Sequence, residues 1–197
     1  MDIIPLIYIQ DGEILGEKEG APLSFTDVFK QVKKDALLYI VDLDGLENGR
    51  MKLDLYQRIS DHCTVWMDAG PRRLVDVMDI VMAGATNITI RRSLWPDPDI
   101  LSVREIIEDE LYLLLDGSQK EPVQSLPGTS EIDGLVAFSS NGEIADDFMF
   151  RGYLNDVTGK RKLYLYTVSP SAVTYWSERG VTGILVDLTK KERYSHG

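Results

Sequence analysis

Eight short apolar runs, rich in β-branched and aromatic residues, recur along the chain at 3–9, 37–43, 64–68, 87–91, 111–115, 135–138, 163–168 and 184–186. Segments with helical periodicity separate most of them. After the first run, Asp11-Gly12 marks a tight hairpin that carries a short arm through Ile14. Residues 24–34 then suit a helix, because Ser24 can cap it, Asp27 favours its positive end, and Phe25, Val28, Phe29 and Val32 share a face. Further helices are expected over 51–60, 72–83, 99–109, 146–157 and 171–179. Gly84 is placed to end the third in a left-handed turn, and Pro96 and Pro98 introduce the fourth.

Apolar strands alternating with amphipathic helices imply a parallel sheet covered on both faces. Eight such units predict a single α/β domain over 1–197, a TIM-type (β/α) barrel of eight parallel strands. An open, doubly wound sheet is the alternative that the same alternation allows. Such barrels usually need about 250 residues, so this one is expected to be shortened. The saving falls at 117–131, where Gly117, Pro122, Pro127 and Gly128 break any apolar period, and after strand eight. Helix five and the final helix are therefore expected to be missing.

Charge and cysteine usage narrow the function classes. A net charge of −11 repels nucleic-acid backbones and anionic membranes at long range, so neither is expected as a partner. No apolar run approaches the roughly 18 residues that a membrane span needs, and Asp2 stands where a signal peptide would be basic, so a cytoplasmic protein is expected. Cys63 lies in an apolar run with Val65 and Met67 and reads as a core thiol. With only His62 and His196 beside it, a structural zinc site lacks ligands, and no metal is expected.

In a β/α barrel the chemistry sits at the C-terminal ends of the strands. Those ends offer Tyr8, Asp42 with Asp44, Asp68, Arg91 with Arg92, Asp116, Ser139, Ser169 and Asp187. Arg72 and Arg73 follow strand three while Arg91 and Arg92 end strand four, which concentrates guanidinium groups in one sector of the rim. Such forks hold phosphate or carboxylate bidentately, and backbone N–H groups after Gly70 would add to the site. The alternative is that these arginines pair with Asp68, Asp97 or Asp99 in surface salt bridges. Asp116 ends an otherwise apolar strand, where burial can raise a carboxyl pKa into the range of a general acid or base. It could equally cap the loop before Gly117. Asp44 and Ser139 complete the candidate lining.

The segments IIPLIYIQDGEIL, ALLYIVDLDGLENG (36–49), VWMDAGPRRLVDVMDIVMAGATNITI (65–90), LLLDG (113–117) and NGEIADDF (141–148) resemble, in this order, parts of HisA, the ProFAR isomerase of histidine biosynthesis. The similarity covers the first 117 residues well and the remainder thinly. It implies a β/α barrel with two phosphate sites on opposite sides of the rim, and an aldose–ketose rearrangement by acid and base catalysis without metal or cofactor. The family's strand-one catalytic aspartate falls on Tyr8, a poor base at pH 7 but a competent donor. Its strand-five aspartate is kept as Asp116. Its strand-six threonine falls on Val136, with Ser139 within a short shift. The glycine-rich turn after strand three survives around Gly70 and Arg72, while Arg91 and Arg92 replace small residues. On the opposite side, Thr167-Val168-Ser169-Pro170 and Asp187 replace glycines, and a carboxylate there repels phosphate. One anion site is therefore expected to remain and the other to be lost.

These readings predict a diverged HisA-like barrel that binds a small anionic metabolite and catalyses an isomerisation or another proton-transfer or lyase step in cofactor or amino-acid biosynthesis. Asp116 would be the acid/base, Tyr8 a donor or stacking wall, and Arg72, Arg91 and Arg92 the anion clamp. The alternative is a catalytically silent barrel acting as a partner subunit or regulatory binding protein, with homodimerisation one way to cover flanks that lack a helix. ProFAR isomerase activity itself ranks below both.

Overall fold

The computed structural model describes residues 1–116, 128–138, 161–166 and 169–194, with the side chains of Asp116 and Ala172 excepted. The elements run β1 (Asp2–Gln10), β2 (Glu13–Leu15), β3 (Pro22–Leu23), α1 (Phe25–Gln31), β4 (Leu37–Asp42), α2 (Leu43–Asn48), α3 (Leu53–Ser60), β5 (Thr64–Asp68), α4 (Leu74–Met82) and β6 (Ala85–Arg91). They continue with α5 (Ile100–Ile106), β7 (Leu111–Asp116), β8 (Gly134–Phe138), β9 (Lys162–Tyr166), α6 (Ser171–Ser177) and β10 (Gly183–Asp187), and close with a 3-10 segment, Leu188–Tyr194. Among the described residues, no helix is long and apolar enough to cross a membrane.

Strand order settles the architecture. β1, β4, β5, β6, β7, β8, β9 and β10 pair in parallel as successive neighbours, and β10 returns to β1 with Asp2 opposite Gly183 and Leu6 opposite Asp187. The chain is a shortened (β/α) barrel of eight parallel strands. That closing ladder removes the open doubly wound alternative, which would leave two edges unpaired. β2 and β3 extend β1 as an antiparallel arm turned by Asp11 and Gly12, both at positive φ. Where helix five was expected to be missing, residues 129–131 form a 3-10 turn, and the 3-10 segment takes the place of a final helix. The helix expected at 146–157 lies outside the described residues.

Alternation along each strand builds two concentric cores. Ile7, Ile40, Met67, Ile90, Leu113 and Leu165 point outward and pack under Val28, Tyr56, Ile59, Val77, Ile80, Val103 and Trp176 of the surrounding helices. Leu6, Tyr39, Trp66, Tyr112, Val136, Tyr164 and Leu185 point inward and fill the barrel. The inner layer is aromatic, whereas such interiors are usually made of Val, Ile and Leu. The Trp66 ring lies 4.9 Å from Tyr39, 4.1 Å from Tyr112 and 4.9 Å from Tyr164, centroid to centroid. Room for these rings comes from glycine: Tyr112 pairs across strands with Gly134, and Tyr164 with Gly183.

Residues read as structural behave so. His62 stacks on Phe29 at 3.9 Å, and its Nε2 lies 3.2 Å from the Val32 carbonyl. Cys63 is buried, which pushes its thiol pKa up to about 11.

Candidate functional site

Above the aromatic floor, the inward residue at the C-terminal end of each strand forms the barrel mouth. Around it stand Tyr8 from β1, Val41 from β4, Asp68 from β5, Arg91 from β6, Phe138 from β8, Tyr166 from β9 and Asp187 from β10. The backbone of Asp116 ends β7 and pairs with Phe138, between the strands of Arg91 and Phe138.

Among the described side chains, two buried carboxylates organise this ring. Asp68 is fully buried and receives Nε and Nη2 of Arg91 at 2.8 and 2.6 Å, the bidentate fork geometry. Tyr39 donates to Asp68 Oδ2 at 3.0 Å and shares a 3.2 Å hydrogen bond with the Thr89 hydroxyl, which accepts from Trp66 Nε1 at 2.9 Å. A charged pair this deep is stable only when its remaining lone pairs are satisfied, and the Tyr39–Thr89–Trp66 chain does that. Arg91 keeps 19% of its side chain exposed and lies over Phe138 at 5.8 Å.

Asp187 is the second carboxylate, 2% exposed. Tyr166 donates to it at 3.2 Å, Tyr8 at 3.4 Å and Lys190 Nζ at 2.9 Å; Lys190 also pairs with Glu17 at 2.6 Å. Burial, then the neighbouring Tyr166 and the Asp187 charge, push the Tyr8 phenol far above its ordinary pKa. Burial likewise lifts Tyr166 to about 12. Both hydroxyls are therefore protonated donors at neutral pH. Phe138 and Tyr166 stack at 4.9 Å and 9°, which joins the two polar clusters by an aromatic wall.

The expected residues distribute unevenly over this geometry. Tyr8 and Arg91 reach the mouth. Arg91 also makes the Asp68 pairing that the salt-bridge alternative foresaw, in the interior rather than on the surface. Arg92 follows β6 and is partly buried; it is Arg91 whose parity faces inward. Arg72 does not join Arg91. Its Nη1 donates to the Gly45 and Gly70 carbonyls at 3.0 and 3.3 Å and its Nη2 to Leu46 at 2.7 Å, so it ties α2 to the turn after β5. Arg73 is exposed and pairs with Asp76. The four-arginine sector is thus not assembled, because the carbonyls of Gly45 and Leu46 in a short helix, together with that of Gly70 in the turn, capture Arg72.

Gly70 adopts φ +66, and an added Cβ would meet Leu94 and Leu46 at 2.6 and 2.8 Å, so the turn itself demands glycine. Asp44 accepts the N–H groups of Asp11 and Gly12 at 2.9 and 3.0 Å and holds the β1–β2 turn. Ser139 and the side chain of Asp116 lie outside the described residues. Sequence reasoning missed Lys190, Tyr166 and Phe138. The two aromatics were legible as every second residue of β8 and β9; Lys190 follows the last strand and carries no such signal.

Fold and rim together define the class, a closed (β/α) barrel with a polar, aromatic-walled mouth. No protein family's sequence profile matches the chain. In structure it is similar to the Yersinia pestis dihydropteroate synthase in a sulfonamide drug complex, with TM-score 0.62, 10% identity, and coverage of 98% of this chain and 90% of that one. It is also similar to CdNal from Clostridium difficile in complex with mannosamine, at TM-score 0.57 and 14% identity over 98% and 72% of the two chains. N-acetylneuraminate lyase from Mycoplasma synoviae gives 0.54 and 11% over 94% and 69%. At such identities the likeness establishes the barrel and nothing of its chemistry.

Proposed function

We propose that the chain is a diverged barrel of the HisA type that binds a small phosphorylated or carboxylated metabolite at its mouth and moves a proton on it, in an isomerisation or lyase step. The observation that carries this reading is the Arg91–Asp68 pair. A guanidinium fixed through one edge by a buried carboxylate is preorganised, and Arg91 remains part-exposed where a ligand would enter. Tyr8 and Tyr166 each give their one hydroxyl proton to Asp187, which Lys190 also holds, and so present acceptor oxygens to ligand hydroxyls at the mouth. Asp116 is the acid/base by its place at the end of β7. Tyr8 in place of the family's aspartate argues against ProFAR isomerase activity itself, which growth of a complemented deletion strain would test.

Titration with sugar phosphates and small carboxylates is the direct test. Arg91→Lys, which keeps the charge but loses the fork, is expected to weaken binding about tenfold or more. Asp116→Asn is expected to keep binding and lower turnover by about two to four orders of magnitude. Wild-type protein that binds none of these compounds would sink the proposal and leave the second reading, a silent barrel serving as a partner subunit. That reading draws on the internal acceptors that Arg72, Arg91 and Lys190 already have.

A further inference from the structure

Among the described residues five large apolar side chains are exposed, and three of them lie along one helix. Val75, Met78 and Met82 lie on α4 at 43%, 45% and 81% exposure, and Leu101 lies on the adjoining α5 at 59%. The α4 positions are spaced three and four apart, so they form one ridge along the helix. The opposite face of the same helix buries Val77 and Ile80 against the barrel. A surface helix normally carries one apolar stripe and a polar outer face; α4 is apolar on both. Single exposed hydrophobic residues are ordinary, whereas a continuous ridge marks a contact surface.

The charges around the ridge select its occupant. Arg73, with 75% of its side chain exposed, marks the N-terminal end of α4. Asp79 lies toward the other end, beside a recess that Met82 shares with Asp54 of α3. A net charge of −11 repels an anionic membrane and a second copy alike at long range, so the occupant is decided by the local charges. A second copy of the chain, laid antiparallel on the first, brings each positive end over the partner's negative end and opposes the two helix dipoles. The existing Arg73–Asp76 pair is a 3.0 Å surface contact at i, i+3 and is readily shared, since such pairs contribute little. Methionine suits this role because its flexible thioether adapts to a facing ridge.

We infer that α4 is the two-fold contact of a homodimer, with the ridge Val75, Met78 and Met82 packed antiparallel on its copy and Arg73 of each chain set against Asp79 of the other. One helix ridge belongs to the small, weak class of interfaces, so association in the micromolar range is expected. Sedimentation equilibrium up to several hundred micromolar should show a reversible monomer–dimer system. Met78→Glu should weaken the dimer at least tenfold while thermal unfolding followed by circular dichroism confirms an intact fold. Arg73→Glu should weaken it as well, and adding Asp79→Arg should restore it. A wild-type protein that is monomeric throughout, a dimer indifferent to Met78→Glu, or a double reversal no tighter than Arg73→Glu alone would each overturn the inference.

Discussion

Tyr112 and Tyr164 fit inside the barrel because the residues beside them on the next strand have no side chain. A Cβ on Gly134 would sit 2.7 Å from a Tyr112 ring carbon and 2.7 Å from the Lys162 carbonyl oxygen; one on Gly183 would sit 2.8 Å from the Tyr164 ring. Neither ring can retreat, since both already pack against Trp66. Gly134→Ala is therefore expected to destabilise the fold by about 1–3 kcal/mol, the range of overpacked cores. Urea unfolding would show it as a lowered midpoint at unchanged slope. Combining it with Tyr112→Leu should recover part of the loss, because the two substitutions share one space.

At the scale of elements, Asp42 joins three of them. It caps α2 through the Gly45 N–H at 3.0 Å, accepts the Lys52 N–H before α3 at 3.2 Å, and accepts the Tyr56 hydroxyl from within α3. Burial raises its pKa even so. Asp42→Ala removes a cap and leaves buried donors unmatched, an expected loss of about 2–4 kcal/mol, whereas the exposed Asp54→Ala nearby should change stability by less than about 0.5 kcal/mol. Chemical denaturation of the two variants side by side checks this.

The same element shows where sequence reading stops. The eight strands were legible because each is a short apolar run long enough to show composition, and α1 because Ser24 and Asp27 close a capping box. α2 was not, since six residues carry too little periodicity and its evidence lies in its ends, Asp42 and the left-handed Gly49. The rim was half legible. Position at a strand end can be read from a sequence, but whether Arg91 or Arg92 faces inward depends on strand parity. That Arg72 turns to helical carbonyls depends on a helix that had gone unseen.

For the whole molecule, the tyrosines set the response to alkali. Tyr8, Tyr39, Tyr56, Tyr112, Tyr164 and Tyr166 all have phenol pKa values raised above 10.0, with burial the leading cause, and Tyr164 and Tyr166 reach about 12. A folded-state pKa above the unfolded one means that the fold favours the protonated phenol. The stability this represents is fully present below pH 10, and it declines as pH rises past the unfolded value toward the folded ones. Tyrosinate absorbance should thus appear late and cooperatively, coincident with the loss of far-ultraviolet circular dichroism. Smooth titration of all tyrosines near pH 10 in a still-folded protein would contradict the buried aromatic interior.

The ladder between β1 and β10 also imposes an order in time. A ribosome delivers the first strand roughly 180 residues before the partner that covers its outer edge, an interval of about 10–40 s at ordinary rates of synthesis. Throughout it, Asp2 to Leu6 present a bare strand edge to any extended segment nearby, with an N–H missing only at Pro5. For this chain the hazardous moment for mispairing thus precedes the native state, and holding chaperones would find their target in its opening residues.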